Sequence, residues 1–267
     1  MRAGVAAQER GEYAEARAYF RTGCEEGHIL GCGLLGFLLL EGQGGPEDKA
    51  GARTYLERVC RARDEPDCGA RCRAAAGPGC LALATLLIQG EGGPADPPAA
   101  RAILEETCRS GHAKSCYFHG AMLSGAPGWS PDGEMDLAGA RDALDKACRL
   151  NHPDGCHQLG LMLSQGVGGP ADLPGARTAY AKACEGGVPE SCFDLAGMRR
   201  KGKGGPEDLP GARAAYDKAC RGGNARSCHR LAVMLRKRGG VADKARAREL
   251  FRKACEAGVK EACSKGR

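Results

Sequence analysis

The sequence predicts an all-α protein, a right-handed α/α solenoid (superhelix) of about seven disulfide-stapled helix pairs. Three observations carry this. All sixteen cysteines fall into pairs eight positions apart, with none left over. The first cysteines of these pairs follow one another at 36, 12, 36, 40, 36, 36 and 35 residues, a period that signals a stacked array. Apolar residues between them recur at helical spacing, and no strand alternation occurs.

The longer helix of each unit precedes the first cysteine. Eight positions before it stands alanine: Ala16, Ala52, Ala100, Ala140, Ala176, Ala212 and Ala247. Four positions before it stands a large apolar residue: Phe20, Leu56, Leu104, Leu144, Tyr180, Tyr216 and Phe251. These share one helix stripe. Twelve positions before it stands an acid, Glu12, Asp48, Asp96, Asp136, Asp172, Asp208 or Asp243, where an Asp carboxylate can accept from the free N–H groups of the first turn. Pro97, Pro174 and Pro210 fall in that turn, where no N–H is missed.

A shorter helix is expected to begin after the second cysteine. Its third position is Leu35, Leu83, His119, Leu159, Leu195 or Leu231, and its sixth is Leu38, Leu86, Met122, Met162, Met198 or Met234. The fourth is always small: Gly36, Ala84, Gly120, Gly160, Ala196 or Ala232. With the alanine of the longer helix, this small residue would let two antiparallel helices approach closely. The helix stops at G-x-G-G-P (42–46, 90–94, 166–170, 202–206), where Gly accepts the left-handed cap and Pro forbids continuation. The chain reads as one repeat domain, 1–267, with joins near 24–32, 60–80, 108–116, 148–156, 184–192, 220–228 and 255–263.

Only 4% of the chain is aromatic and 42 residues are glycine, so the core is thin. Short disulfide loops offset that at roughly 2–3 kcal/mol each on the loop-entropy model. The pairs are Cys24/Cys32, Cys60/Cys68, Cys72/Cys80, Cys108/Cys116, Cys148/Cys156, Cys184/Cys192, Cys220/Cys228 and Cys255/Cys263. Between Cys60 and Cys80 the alternative of Cys60–Cys80 with Cys68–Cys72 stays open, because four cysteines allow three connectivities. No C-x-x-C occurs and the eight-residue spacing is not a zinc pattern, so neither a metal site nor a cofactor is expected. The disulfides place the protein outside the cytoplasm, periplasmic or secreted. The chain opens MRAGVAAQERG, without an apolar leader, so a leader is expected to have been removed or missed. No stretch is long enough to span a membrane. A formal charge of +6 with acids and bases interspersed excludes a nucleic-acid stripe.

The pattern A-x-x-Y-x-K-A-C-x-x-G, followed by C-x-x-L-A/G-x-M-x-x-x-G-x-G-G-x-x-D, resembles the Sel1-like repeat, a relative of the tetratricopeptide repeat. The cysteine pairs look like its secreted cysteine-rich Hcp-type subgroup. The resemblance implies a monomeric scaffold that binds a protein, an extended peptide or a cell-wall fragment, with weak β-lactam or peptidoglycan-fragment hydrolysis as the alternative. The catalytic signs of a serine β-lactamase are missing, since none of the serines has lysine three positions on and neither S-D-N nor K-T-G occurs. No catalytic residue is assigned.

Several departures mark candidate sites. The helix Leu34–Leu40 is apolar all round, so either the 61–79 insertion folds over it or it offers a partner surface. His28, His112 and His152 share one loop position and read as solvated polar residues. Arg17, Arg53, Arg101, Arg141, Arg177, Arg213 and Arg248 recur seven positions before the first cysteine, mostly with an acid four residues on, as local ion pairs would require. The first position of the shorter helix, Tyr117, His157, Phe193 and His229, lies far round the helical wheel from the core leucines and is expected to face outward as a binding row. Arg200 and Arg236 would share that face. In the fourth unit His119 replaces the leucine, and the next turn expands around Trp129, the chain's one tryptophan. Tyr117, His119 and Trp129, with His157 adjacent, form a candidate recognition site, or Trp129 folds back to fill space beside His119.

Overall fold

The computed structural model describes residues 1–63, 70–126, 135–238 and 240–265. Among them the chain is all helical, with fifteen helices and no strand. It divides into two compact units, Met1–Lys146 and Ala147–Arg267, the boundary falling within one helix. The first contains α1 (Arg2–Glu9), α2 (Tyr13–Glu25), α3 (Ile29–Leu40), α4 (Lys49–Arg63), α5 (Ala70–Gln89), α6 (Pro97–Arg109), α7 (Ala113–Leu123) and most of α8 (Leu137–Arg149). The second contains α9 (Pro153–Gln165), α10 (Leu173–Glu185), α11 (Pro189–Lys201), α12 (Leu209–Arg221), α13 (Ala225–Arg238), α14 (Val241–Glu256) and the short α15 (Lys260–Cys263).

The expected caps form where aspartate stands outside the helix. Asp48, Asp96, Asp136, Asp172 and Asp208 each accept from the backbone N–H three residues on, at 2.8 to 3.0 Å. Glu12 makes no side-chain cap, and Asp243 lies inside α14. The close approach of small residues is also present. A Cβ on Gly36 would meet Leu56 at 2.9 Å, and one on Gly120 would meet Leu144 at 2.7 Å with the Ala140 carbonyl beside it at 3.2 Å. The shorter helix of one pair thus seats against the longer helix of the next, where alanine keeps the backbone accessible. Ala16, Ala52, Ala100, Ala140, Ala176 and Ala212 are fully buried.

Seven disulfides are described. Six have the eight-residue spacing: Cys24–Cys32, Cys108–Cys116, Cys148–Cys156, Cys184–Cys192, Cys220–Cys228 and Cys255–Cys263. Each closes the turn between the two helices of a pair. One detail of that turn corrects the sequence reading. The shorter helix does not wait for the second cysteine but starts three residues before it, so Cys32, Cys116, Cys156, Cys192 and Cys228 lie in the first turn of α3, α7, α9, α11 and α13. The reason is that a residue just after the glycine turn, such as His112, His152 or Asn224, already caps the helix there. All five of these second cysteines are buried, together with their partners Cys24, Cys108, Cys148, Cys184 and Cys220. They are staples in the interior and present no surface to a ligand.

The remaining disulfide corrects the expected pairing. Cys60 bonds Cys80, not Cys68. The reason is helical continuation: α4 runs on through Cys60 to Arg63 and α5 begins at Ala70, so Cys80, midway along α5, packs opposite Cys60. Cys68 and the side chain of Cys72 lie outside the described residues.

The apolar helix α3 is packed by α2, α4 and α5 in turn. Leu35, Leu38 and Leu39 are buried, whereas Leu34, Phe37 and Leu40 are half-buried. It is α5, the helix that ends the insertion, that lies alongside α3, and it leaves Phe37 and Leu40 on the wall of a groove.

Candidate functional site

The recurring arginine holds the turns. In the first unit the Arg17 guanidinium, 9% exposed, donates to the carbonyls of Leu38, Gln43, Gly45 and Pro46. Arg53 donates to Pro94 O at 2.9 Å, and in the second unit Arg177 donates to Pro206 O at 2.9 Å. In these three repeats the arginine near the start of the longer helix therefore satisfies backbone carbonyls of the G-x-G-G-P turn that ends its partner helix. The expected carboxylate partner four residues on occurs as Arg53–Glu57, at 3.4 Å. Close backbone contact seats the same turns: Gly44, at φ +77°, would drive a Cβ into the Tyr13 carbonyl.

The loop histidines are caps more than solvated residues. His112 and His152 accept on Nδ1 from the N–H of Ser115 (3.3 Å) and Gly155 (3.2 Å), while His28 makes no such bond.

Of the row expected to face outward, only His229 is buried, and Tyr117, His157 and Phe193 are half-buried. In the second unit, the His157 ring lies 6.0 Å from Tyr180, Phe193 5.8 Å from Tyr216, and His229 5.6 Å from Phe251. His157 Nδ1 is also 2.8 Å from the hydroxyl of buried Ser191. His229 is only 5% exposed. The physical reason is that the following longer helix brings a large ring, Tyr180, Tyr216 or Phe251, against the first position of the shorter helix and covers part of that face. In the first unit Tyr117 is half-buried and edge-on to Phe118, with centroids 5.1 Å apart. His119 is half-buried, and burial foremost pushes its pKa below the ordinary histidine value. Trp129 lies outside the described residues. Of the two arginines expected beside the row, Arg236 stacks on Phe251 at 5.3 Å, whereas Arg200 lines a cleft.

What remains open lies along the shorter helices. In the first unit Phe37 and Leu40 of α3, Leu81 and Ala82 of α5 and Phe118 of α7 wall a groove of about 690 Å³. Its walls are mostly apolar, and its polar edge includes Lys114 and the Lys49–Glu91 ion pair at 2.8 Å. In the second unit two smaller clefts occupy successive repeats. One, of about 270 Å³, contains Ser164, Tyr180, Asp194 and Lys201. Ser164 donates to its own helix at Leu161 O and lies 3.4 Å from the Tyr180 hydroxyl, whose pKa burial raises. The other, of about 320 Å³, is lined by Arg200, Arg213, Tyr216 and Arg230 among others. Sequence reading singled out the apolar helix that supplies Phe37 and Leu40, but not the walls facing it, because a groove needs residues of different repeats brought together. Among the described residues no group of three or more His, Cys, Asp or Glu could hold a metal ion, and no helix is long and apolar enough to cross a membrane.

Residues 30–64, 77–112, 153–188, 189–224 and 225–259 each match the model of the Sel1 repeat. The chain belongs to the Sel1 repeat family. Among solved structures, c5321, a protective antigen present in uropathogenic Escherichia coli strains and displaying an SLR fold, superposes with a TM-score of 0.80 at 22% identity. That match covers 94% of this chain and 50% of c5321, so the chain spans half the length of that protein. A Sel1 repeat protein from Oxalobacter formigenes gives a TM-score of 0.67 at 18% identity, covering 94% of this chain and 95% of the other. Cysteine rich protein B of Helicobacter pylori is 26% identical over 48% of this chain and 94% of its own, with a TM-score of 0.37. No curated protein matches the chain. The Sel1 repeat matches skip residues 113–152, the stretch that contains His119 and the expanded turn.

Proposed function

We propose that this Sel1 repeat protein is a non-catalytic scaffold that binds extended segments of partner proteins in an oxidising, extracytoplasmic compartment. The observation that carries the reading is the groove of about 690 Å³ on α3, α5 and α7, with Phe37, Leu40, Leu81 and Phe118 on its walls. Its size and apolar lining suit side chains of an extended peptide, and its charged edge suits the peptide backbone and ends. Seven disulfides support an oxidising compartment and hold the walls in place before a ligand arrives, which lowers the ordering cost of binding.

The test is selection of displayed random peptides on the oxidised chain, followed by affinity measurement with the Thr85→Arg variant, whose new side chain fills the groove. Selected peptides should bind the variant at least tenfold more weakly while its melting temperature stays unchanged. Peptide binding that ignores Thr85→Arg, or a selection that enriches nothing, would overturn the reading. Peptidoglycan fragments and a cephalosporin serve as competitors, and either one displacing the peptide with turnover would favour the hydrolytic alternative instead.

A further inference from the structure

We propose that the cleft between α11, α12 and α13 is a subsite for a carboxylate carried beside an apolar side chain on an extended peptide. This rests on the peptide-binding reading above and adds a chemistry to it.

The argument begins with the arginine that pins turns. Arg213 stands in the same register as Arg17, Arg53 and Arg177, each of which donates to carbonyls of a G-x-G-G-P turn. After α13 the sequence has no such turn, passing instead through Gly239, Gly240 and Val241 into α14. Arg213 is left without its acceptors, and its Nε is buried with no hydrogen-bond partner. Arg200, from α11, lines the same cleft, and its Nε is also buried and unpartnered. A buried N–H without an acceptor is costly, and both arginines line one cleft, which points to a ligand that supplies oxygens to their guanidinium groups.

The charges around them agree. Arg230 and Lys237 of α13 complete the wall, and Glu207 is its one carboxylate. Among the described residues none of these four cations makes a hydrogen bond or ion pair. Guanidinium groups grip a planar carboxylate through paired N–H donors, which suits them to this ligand better than ammonium groups. Leu209, Tyr216, Val233 and Met234 supply the apolar lining, and the volume of about 320 Å³ is enough for one side chain beside its carboxylate.

Comparison with the preceding repeat shows that this is not a by-product of the period. Thirty-six residues earlier, Tyr180, Met198 and Lys201 line the corresponding cleft, in register with Tyr216, Met234 and Lys237. There Ser164 stands for Arg200 and Asp194 for Arg230, and Arg177 is occupied by Pro206 O. The same pocket thus changes from Asp194, Lys201 and Lys203 to Arg200, Arg213, Arg230 and Lys237 beside Glu207.

The test is titration of the oxidised full chain, followed through the arginine Nε–H signals in ¹H–¹⁵N spectra. The probes are N-acetyl-leucine, N-acetyl-leucinamide, N-acetyl-leucyl-glutamate α-amide and inorganic phosphate. At least one of the two acids should shift Arg200 and Arg213 saturably, with the neutral amide at least tenfold weaker. Response to N-acetyl-leucine alone assigns a peptide C-terminus, and response to the glutamyl probe alone assigns an acidic side chain. Arg213→Met, and Arg230→Asp as in the preceding repeat, should each weaken binding at least tenfold without lowering the melting temperature. The proposal is overturned if neither acid saturates, if the amide or phosphate binds as well as the acids, or if the variants bind normally. A failed acid titration beside successful peptide selection on the α3–α5–α7 groove sinks this subsite alone. Saturable acid binding beside a failed selection sinks the broader reading and leaves an isolated carboxylate site.

Discussion

Replacing the turn-pinning arginine by methionine should be costly where the turn exists and free where it does not. Methionine keeps the unbranched stem and its helix propensity while removing the donors. Arg177→Met loses a charge-assisted hydrogen bond to Pro206 O at 2.9 Å. Such bonds contribute about 1.5–3 kcal/mol, and the partial exposure of this one places it near the lower end. Arg17→Met loses donors to four carbonyls, one of them the buried Leu38 O at 2.9 Å, and should cost about 2–4 kcal/mol. Arg213→Met loses no acceptor and removes an Nε that is buried without a partner, so its cost is about zero or slightly negative.

Native-state hydrogen exchange with disulfides intact is the suitable assay, because a repeat array need not unfold in one step. The reporters are amides of the pinned turns. Gln43 N–H donates to Leu38 O at 3.0 Å, and Lys203 N–H to Met198 O at 3.0 Å. At about 1.4 kcal/mol per decade, Arg17→Met should speed exchange at Gln43 by roughly thirtyfold or more, and Arg177→Met at Lys203 by about tenfold. Arg213→Met should leave both unchanged. If Arg213→Met destabilises the second unit as much as Arg177→Met, the division into pinning and vacant arginines is wrong. Unchanged exchange at Gln43 in Arg17→Met would refute the pinning role itself.

Two further outcomes are expected. Burial lowers the pKa of His229 and of His119, so near neutrality and below, the unfolded chain takes up protons that the folded one refuses. Stability is then full above the ordinary histidine value of about 6.5 and falls as pH drops through it, by at most about 1.4 kcal/mol per pH unit for each histidine. His229→Phe, the residue standing at this position as Phe193, and His119→Leu should each flatten the melting temperature between pH 7 and pH 5; an unchanged slope in both would show that neither histidine carries the effect. Non-reducing peptide mapping should recover Cys60 linked to Cys80, and a Cys60–Cys68 peptide in its place would contradict the packing of α4 on α5.

Much of the fold is legible in the sequence because its determinants are local or repeated. Aspartate caps act within three residues, and the small residue at Gly36 or Gly120 announces a close helix approach by recurring. The Cys60–Cys80 bond is harder to read, since spacing favours the eight-residue rule over the continuation of α4. The true start of each shorter helix, ahead of Cys32, Cys116, Cys156, Cys192 and Cys228, is hidden because the capping residue varies from repeat to repeat while the cysteine does not. The partial covering of His157 and Phe193, and the burial of His229, are hidden because the rings that cover them come from the next longer helix, which a wheel of the shorter helix alone does not contain.

The candidate subsite has the opposite character, being written as an interruption. Nothing about Arg213 alone distinguishes it from Arg177; the two sit in identical register. What differs lies some thirty residues on, where Pro206 has no counterpart after α13 and the acceptors for the guanidinium vanish. A stacked array places its recurring residues in the interfaces between helices, because each interface must be satisfied in the same way. Residues released from that duty are free to meet a ligand, and they occur where a repeat loses a part while its neighbours keep theirs. Arg213 retains the side chain of a turn pin without a turn, and Arg200 and Arg230 replace Ser164 and Asp194 around it. Cationic residues that stabilise nothing within the fold should therefore be removable without harm to it, while the carboxylate site is lost. Arg213→Met combined with Arg230→Asp, measured for both exchange at Lys203 and acid binding, separates the two duties in one protein. Unchanged exchange with abolished binding is the expected result, and faster exchange together with retained binding would mean that the cluster belongs to the fold after all.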